Sequence, residues 1–540
     1  MPLTPTAAKG QTNLAIEAVS GEQPVMAATA LATTMSAGIT QPSGGSVGSR
    51  LRCTIFGWTA GGTLTINGTG LPANTEVITV PAPTAQQLQS PQLASFEYES
   101  VNLYTAITNF QASAPLAAGG GYLVVKQHQG AKFNIPDTAF KSGRKVPTYS
   151  PNEHSGLMAR DKKIIQTVNE PDIGTWDSDF YGDLSLYWVY LMVGAPTWVS
   201  IPAAPTSLFA AASIAASQSL TTQPTAPGMV LIFTITAFTT PGTLTIAGTS
   251  YGLADSEQIS ITAAGTYYSK KVWSAVNASG ITNSGTAATL AITGVFGWLG
   301  TATSESVRQT AVVEHFDGSA SWVHPFTYTT DGEMIIPNKG EVKLTLKGGA
   351  QDKIPIGDRT TNPLNTSRIA QIGAPLSDMP VAGWQTQVSI DPITGTAGAT
   401  ASSDVDEEIK VGIKAGVEPH WTFVNSQNLS RAYPQKPDVS VDVTYDIINL
   451  LQFEQFRQNL KQYLVAQVIG EFLGIVAGTI YYKGWKWTLP VKYDGEYGQE
   501  GDPSKGNVFA KPKLTTEYDP ALGGSYKLEI YTRNPPTYNL

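Results

Sequence analysis

Short runs in which apolar and polar residues alternate recur along the chain, and each run predicts a β-strand with one buried face. Clear examples place apolar residues at Leu64 and Ile66, at Val342, Leu344 and Leu346, at Val439, Val441 and Val443, and at Tyr526, Leu528 and Ile530. Turn-forming residues separate these runs, and the chain contains 52 glycines and 35 prolines. The pattern predicts a mainly β protein of short strands joined by turns.

The segment GDLSLYWVYLMVG departs from this alternation and predicts a short helix. Leu184, Trp188 and Leu191 recur at i, i+4 and i+7, which places them on one helical face. Asp183 precedes the first turn as a candidate N-cap, and Gly194 follows the last turn as a candidate stop.

A longer helical pattern covers residues 446–464, in the segment TYDIINLLQFEQFRQNLKQYL. Either Asp446 or Thr444 can act as its N-cap, and polar residues such as Arg457 occupy the opposite face. We expect its apolar stripe to form the core of a structural helix that packs on a β-sheet. That stripe comprises Ile447, Leu451, Phe456, Leu460 and Leu464.

One β-rich segment occurs twice. The stretch TIFGWTAGGTLTINGTG from Thr54 aligns without a gap with TITAFTTPGTLTIAGTS from Thr234, and glycines such as Gly68 and Gly248 coincide. Similar turns and strands flank both stretches. We therefore predict two small β-sandwiches, over residues 35–118 and 215–298.

The remaining residues, 1–34, 119–214 and 299–540, contain both predicted helices and the other strong strand patterns. About a hundred residues of different character separate the two copies, which favours two insertions over a tandem stalk. We therefore predict one α+β host domain, in which β-sheets pack with a helix, interrupted by two sandwiches.

Charge and cysteine content exclude several classes of protein. The 540 residues include 42 acids and 34 Lys and Arg residues, for a net charge of −8, without a cluster of basic residues. Proteins that bind nucleic acid through its phosphates need such clusters. The single cysteine, Cys53, excludes an intramolecular disulfide and a thiolate metal cage, and it is expected to be a buried small hydrophobic residue.

No convincing catalytic or cofactor motif is present, so we expect a non-enzymatic protein without a cofactor or bound metal. The sequence lacks HExxH, CxxC and phosphate-loop patterns, and it has no GxSxG nucleophile elbow, which requires that motif between a strand and a helix. Glu314, His315 and Asp317 form the one local acid–histidine cluster, in a strand and turn context. The acidic run 404–408 lacks the spacing of a calcium loop and is predicted to be a solvated turn. Trp384 and Trp421 could stack on sugars, but each is predicted to lie in an alternating strand, which favours packing in the core or at an interface.

The N-terminus has no secretory pattern, and the most apolar window, 463–482, contains Glu471 and three glycines. We interpret that window as the end of a helix running into buried strands, and we expect no membrane association.

Four segments of the host resemble the major tail tube protein of long-tailed, non-contractile bacteriophages. They are NLAIEAVSGEQPV, GDLSLYWVYLMVGAP, the hairpin that begins VAGWQTQVSIDPITGTAGAT, and the C-terminal DVSVDVTYD with KPKLTTEYDPALGGSYKLEIYTRN. Each of these motifs alone is only loosely specific to the family. The resemblance rests on the order in which the four segments follow one another along the chain. The two repeats fall outside the family pattern and resemble immunoglobulin-like domains of virion proteins.

This resemblance implies a virion structural protein that assembles in the cytoplasm of the infected bacterium. Its stacked rings form the hollow tail tube through which DNA passes. The resemblance does not distinguish rings of three copies from rings of six copies. It also implies contacts with the tape-measure, tail-terminator and tail-tip proteins, and sandwiches that decorate the exterior. Rival interpretations are a capsid decoration or baseplate protein, a carbohydrate-binding adhesive protein, and a glycoside hydrolase with accessory sandwiches.

Overall fold

The computed structural model describes residues 11–533 except for 17–24, 37, 42–49, 72–73, 84–94, 101, 129–132, 136–138, 141–147, 150–164, 167–171, 180–185, 214–216, 238–241, 262–263, 285–288, 307, 309, 317–319, 352, 359–380, 403–404, 415–416, 421–430, 447–450, 495–498 and 503–506. Strands account for 65% of the structure and helices for 6%, in several antiparallel sheets. The prediction of a mainly β fold with β-sandwich domains is confirmed.

The elements are numbered in chain order. The first strands are β1 (Gln11–Ile16), β2 (Val25–Ala30), β3 (Arg50–Phe56), β4 (Gly62–Leu71), β5 (Thr75–Val80), β6 (Ser95–Glu99), β7 (Leu103–Ala112), β8 (Tyr122–His128), β9 (Phe133–Ile135), β10 (Ala139–Phe140), β11 (Thr148–Tyr149), β12 (Ile165–Gln166), β13 (Asp172–Asp179) and β14 (Thr197–Ile201). The next are β15 (Thr206–Ser213), β16 (Ser217–Gln218), β17 (Met229–Ala237), β18 (Gly242–Ser250), β19 (Leu253–Ile261), β20 (Gly265–Asn283), β21 (Thr289–Val295), β22 (Gly297–Thr303), β23 (Ala311–Phe316), β24 (Ala320–Pro337), β25 (Lys343–Gly349) and β26 (Ile354–Asp358).

The C-terminal strands are β27 (Thr386–Pro392), β28 (Val405–Lys414), β29 (Val417–His420), β30 (Arg431–Pro434), β31 (Asp438–Asp446), β32 (Gln462–Val468), β33 (Phe472–Val476), β34 (Thr479–Tyr482), β35 (Gly484–Asp494), β36 (Gln499–Asp502), β37 (Asn507–Ala510), β38 (Lys513–Thr516) and β39 (Lys527–Thr532). The helices are α1 (Ala114–Ala118), α2 (Leu186–Val193) and α3 (Leu451–Arg457), with a 3₁₀ turn at Gly383–Gln385.

The first repeat forms a sandwich of two antiparallel sheets, β2-β8-β3-β6 and β5-β4-β7. Its core lies between them and includes Leu64, Ile66 and Phe110, none of which is exposed. Because β2 and β8 belong to this sandwich, it extends on both sides of the predicted boundaries 35–118. The glycines 119–121, which the predicted boundary at residue 118 assigns to the host, therefore lie inside the domain, between α1 and β8.

The second repeat forms a seven-stranded arrangement ordered β15-β21-β17-β20-β18-β19, with β16 paired to β20. Strand β20 is 19 residues long; its first half pairs with β17 and its second half with β18. One continuous strand thus occupies the places that β6 and β7 share in the first sandwich. The domain begins at β15, before the predicted start at residue 215.

The host is built from two groups of strands that face each other. One group is ordered β13-β25-β24-β28-β31-β38, and the other β14-β22-β39-β35-β32-β27, with β38 also paired to β35. Alternate residues of both groups enclose one apolar core, which includes Leu344, Val441 and Trp487. Strand β1 pairs with β9 and β23 beside this core.

Helix α2 is more deeply buried than its sequence predicts. In the described part of the chain it covers Leu186–Val193, and Gly194 ends it with a φ of 94° while donating to the Tyr190 carbonyl at 2.8 Å. All residues of its last two turns whose side chains are described, 189–193, are buried. A helix within the core is apolar on every side, so the predicted one-sided stripe is incomplete. Asp183 and Leu184 lie outside the described residues.

The C-terminal helix ends earlier than predicted. Helix α3 ends at Arg457, and Asn459 adopts a left-handed φ of 50°, a conformation that stops a helix. Leu464 instead lies in strand β32, fully buried in the host core. Buried on both faces, β32 is a continuous apolar run, which periodicity alone does not distinguish from helix. Residues 463–482 accordingly form strands β32, β33 and β34 rather than a helix end.

Candidate functional site: two copies of one sandwich and their attachment to the host

The two sandwiches share a buried carboxylate in equivalent strands, Glu76 in β5 and Glu257 in β19. Glu76 accepts hydrogen bonds from the backbone N–H of Asn102 at 2.9 Å and from the Tyr98 hydroxyl at 2.8 Å. Glu257 accepts from the backbone N–H groups of Lys270, at 2.6 Å, and Lys271, at 3.2 Å. Each carboxylate thus organises the bend where the chain passes from one sheet to the other. Burial raises the pKa of Glu257 against these hydrogen bonds.

A serine repeats next to each carboxylate. The Ser100 hydroxyl accepts from the Leu51 N–H at 2.8 Å and donates to the Asn102 carbonyl at 2.8 Å. Ser269 does the same between the Leu231 N–H, at 2.9 Å, and the Lys271 carbonyl, at 2.7 Å. The two serine hydroxyls thus satisfy backbone groups that the bend leaves without a strand-to-strand hydrogen bond.

Two further equivalences explain positions shared by the repeats. The Ile107 N–H donates to the Gln41 side chain, and the Val276 N–H donates to the Gln223 side chain, both at 2.8 Å. A Cβ added at Gly68 would overlap the carbonyl oxygen of Ala106, and one at Gly248 would overlap that of Ala275. The shared glycines therefore permit close strand contact, and the repeats are two copies of one fold.

The first sandwich has a self-contained core. Its hydrophobic cluster runs from Ala27 to Val125 and includes no residue of the host. Among the described residues, Arg52 contacts the host through a hydrogen bond of 3.0 Å from its guanidinium to Gln351, and Arg52 is buried, at 4% exposed. A hydrogen bond from a charged donor of this kind contributes about 1.5–3 kcal/mol.

The second sandwich is continuous with the host through two apolar clusters. In one, Met229 and Phe296 pack with Ile201 and Leu473 of the host, and no Cβ fits at Gly474 because the Phe296 ring lies there. In the other, Val230, Val272 and Val295 pack with Trp298 of β22. The rings of Tyr268 and Trp298 meet edge to face at 5.9 Å. The second sandwich is therefore docked, whereas the first is tethered.

Arg533 lies at this docking junction. Its guanidinium donates to the Phe472 carbonyl at 3.1 Å, pairs with Glu471 at 3.0 Å and lies 5.9 Å from the Tyr251 ring of the second sandwich. Arg533 is buried, at 4% exposed. A single cation thus joins the C-terminal strand, the β33–β34 hairpin and the second sandwich.

Two aspartates organise loops of the host, Asp391 the loop after β27 and Asp519 the loop before β39. Asp391 accepts from the backbone N–H groups of Gly398, Ala399 and Thr400 at 2.8, 3.2 and 3.1 Å, which fixes the loop after β27. Asp519 accepts from the Tyr463 hydroxyl. Burial and this carboxylate raise the pKa of Tyr463 to about 12. Both carboxylates have structural partners.

The predicted helix core is not assembled as one stripe. Phe456 is half-buried, with its ring edge 5.6 Å from Tyr493, whereas Leu460 is 46% exposed and Leu464 belongs to β32. Ile447 lies outside the described residues, and Leu451 begins α3. Only part of the stripe therefore contributes to the host core, and its deepest member does so from a strand.

Other sequence expectations have mixed outcomes. Cys53 is buried, at 1% exposed, as predicted. Trp384 lies in the 3₁₀ turn and is 78% exposed, so its predicted packing within a strand is wrong. Glu408 lies in strand β28 rather than in a turn.

Among the described residues, no group of three His, Cys, Asp or Glu side chains is placed to hold a metal ion. No helix in this part of the chain is both long and apolar enough to cross a membrane. No protein-family model matches the chain, and a search of curated proteins gives no match.

Proposed function

We propose that this chain is a virion structural protein that polymerises into stacked rings forming the tail tube of a long-tailed, non-contractile bacteriophage. The observation that best supports the proposal is architectural. A two-layer β host is interrupted by two copies of one sandwich, and host segments in the order of the tail-tube family make up its core strands and structured loops.

Assembly into rings would use the outermost strands of one host sheet; in the described part of the chain β14 has no second strand partner, and the outer side of β27 carries a bridge from Ser389 to Ala401. Strand β14 pairs along one edge with β22, and β27 pairs with β32 at the far end of the same sheet. Strands with an unpaired edge readily add a strand from another chain. Contacts between β14 and β27 of neighbouring copies would be head-to-tail, the arrangement that closes a ring.

Negative-stain microscopy and size-exclusion chromatography of the purified protein test this function. We expect rings or tubes with a central hole, which persist in a chelator because assembly uses strand pairing and side-chain packing. The mass of one ring decides between three and six copies. A protein that stays monomeric at high concentration contradicts the proposal, and a decoration or baseplate protein would bind pre-formed capsids or baseplates instead.

One observation favours the carbohydrate-binding alternative. Trp384 is exposed beside a shallow cleft of about 130 Å³ lined by Thr386, Val405 and Glu408. Exposed aromatic rings beside a carboxylate suit a sugar face and its hydroxyls. Glycan-array binding that is lost in Trp384→Ala, by a protein that forms no tubes, would support that function.

A further inference from the structure

Arg308 is a positive charge enclosed in the host without a negative partner. It lies in the segment 304–310 between β22 and β23, and it is only 6% exposed. Both Nη atoms of its guanidinium are shut off from solvent, and neither donates a hydrogen bond to any residue that the structure describes. Within the same described ranges, no carboxylate forms an ion pair with it. A guanidinium keeps its charge inside a protein, so this charge requires compensation.

The hydroxyl of Tyr526 is in electrostatic contact with Arg308. Burial lowers the pKa of Arg308, and the contact with this hydroxyl offsets part of that shift. The hydroxyl donates its own proton to the Val193 carbonyl at 3.0 Å, so it presents oxygen lone pairs to Arg308. Burial raises the pKa of Tyr526, so the phenol is neutral and supplies no negative charge.

The C-terminal end of helix α2 lies beside this pair, because Val193 is its last residue. A helix C-terminus carries a partial charge of about −0.5, which attracts a cation. The Val193 carbonyl accepts the Tyr526 hydroxyl, however, and the Tyr190 carbonyl accepts the N–H of Gly194 at 2.8 Å. The helix end therefore compensates part of the charge and leaves the Nη donors of Arg308 without an acceptor.

Further buried donors surround Tyr526. The Trp487 ring meets the Tyr526 ring edge to face, with the ring centroids 5.8 Å apart. The Trp487 Nε1 is buried and has no acceptor among the described residues. The hydroxyl of Ser525, the preceding residue, is also buried and has no hydrogen-bond partner in that part of the chain. The surroundings of Tyr526 thus hold more N–H and O–H donors than acceptors.

Two other buried arginines show how this protein accommodates a guanidinium. Arg533, which follows β39 directly, is 4% exposed and pairs with Glu471 at 3.0 Å. Arg52 is equally buried and donates to the side chain of Gln351 at 3.0 Å. Each has a side-chain acceptor from a distant part of the chain. Arg308 differs from both, since its surroundings offer donors and a neutral phenol.

Burial of an ion without a counter-charge is strongly unfavourable, because the protein interior solvates charge poorly. A buried lysine avoids this penalty by losing its proton, which an arginine does not do. A buried water molecule accepts hydrogen bonds but brings no charge. An anion does both, because it accepts the hydrogen bonds of the Nη groups and cancels their charge.

We propose that Arg308 holds a small monovalent anion of the chloride class, enclosed between the segment 304–310, the end of α2 and the start of β39. One monovalent anion balances one guanidinium. A site whose Nη atoms are shut off from solvent does not admit a phosphate or a bulky organic acid. The anion would tie the segment 304–310 to the helix and the strand, so the stability of the host would depend on the identity of the salt.

Calorimetry of the unsubstituted protein tests the site. Sodium chloride is raised from about 1 to about 100 mM while sodium gluconate keeps the ionic strength constant, so that the small anion alone varies. A ligand that binds only the folded state raises the folding equilibrium constant about tenfold for each tenfold increase in concentration above its Kd. We expect the thermal midpoint of the host to rise with chloride and with bromide, and not with gluconate.

Substitutions assign the effect to Arg308. Arg308→Met removes the charge and keeps a long side chain, so the midpoint should no longer depend on chloride. Arg308→Lys keeps the charge and should keep the dependence. The matched control is Arg533→Met, which removes a buried arginine that already has a carboxylate partner. It should lower the midpoint and leave the chloride dependence unchanged. A chloride effect that persists in Arg308→Met would overturn the proposal.

Bromide locates the ion even where the Arg308 variants do not fold. In crystals of the unsubstituted protein that contain bromide, an anomalous peak should lie in contact with the Nη groups of Arg308. Peaks on the surface alone would be adventitious ions, and they would refute the site. A midpoint that is equal in chloride and gluconate would also refute it. The site lies within one copy of the chain, so the result is independent of whether the protein forms tubes.

Discussion

The two sandwiches have the same fold and the same buried polar groups, yet they relate to the host in different ways. The first encloses its own core and meets the host through the Arg52–Gln351 hydrogen bond. The second shares apolar clusters with β22, β39 and the β33–β34 hairpin.

The difference can be traced to one face of one strand. In the gapless alignment of the repeats, Arg50 and Arg52 of β3 correspond to Val230 and Ile232 of β17. Val230 is buried against Trp298, and Ile232 packs at the edge of the same cluster. A duplicated fold thus keeps its inner residues, while the residues on its outer face determine whether it is tethered or docked.

Deleting each sandwich should give the largest contrast. Replacement of residues 206–295 by a Gly/Ser linker would expose Phe296, Leu473 and Trp298, each now buried. Exposure of each large apolar side chain removes about 1.5–3 kcal/mol of hydrophobic stabilisation. We expect an aggregating or strongly destabilised host, measured by calorimetry and solubility.

Replacement of residues 25–128 by the same linker is the matched control and should leave the host transition unchanged. Equal loss of host stability in both deletions would show that the first sandwich is docked as well.

The substitution Val230→Arg gives the second sandwich the residue that the first sandwich has at the aligned position, Arg50. The new charge would be buried among Val272, Val295 and Trp298 without a partner, at a cost of roughly 3–5 kcal/mol. We expect a lower thermal midpoint for the host and second sandwich together. Thr245→Arg, at a half-buried position of β18, is the control. An equally large effect of Thr245→Arg would show that the loss of stability does not depend on the contact between Val230 and the host.

Glu257→Gln should alter the pH dependence of the second sandwich. Burial raises the folded-state pKa of Glu257 above its unfolded value, so its contribution favours folding at low pH and is lost as pH rises through the raised pKa. Denaturant unfolding from pH 4 to 7 should therefore show a pH-dependent loss of stability that the glutamine variant lacks. An identical pH profile for the two proteins would contradict this role.

Arg52→Ala should have the smallest effect on the host. It removes the hydrogen bond from the Arg52 guanidinium to Gln351, and a hydrogen bond from a charged donor contributes about 1.5–3 kcal/mol. Host stability and assembly should be unchanged, whereas the first sandwich should move more freely, as seen by class averaging in electron microscopy. A cooperative loss of host stability would show that the link is structural.

The alternation of apolar and polar residues was sufficient to predict the mainly β fold, the individual strands and the buried Cys53, because strand periodicity is a local property. The repeat was visible for the same reason, since its glycines and strand residues satisfy requirements inside one domain. Boundaries were less predictable: β2 and β8 join the first sandwich through pairing with β3, a contact distant in sequence.

Only the tertiary structure decided the roles that depend on what lies on the other side of an element. Leu464 fits a helical stripe, but pairing of β32 with β27 and β35 makes it a strand residue in the core. Helix α2 is buried on all sides because two sheets enclose it. The sequence alone determined that Arg52 and Ile232 differ, whereas the packing of Trp298 on the second sandwich determined that the difference separates a tethered domain from a docked one.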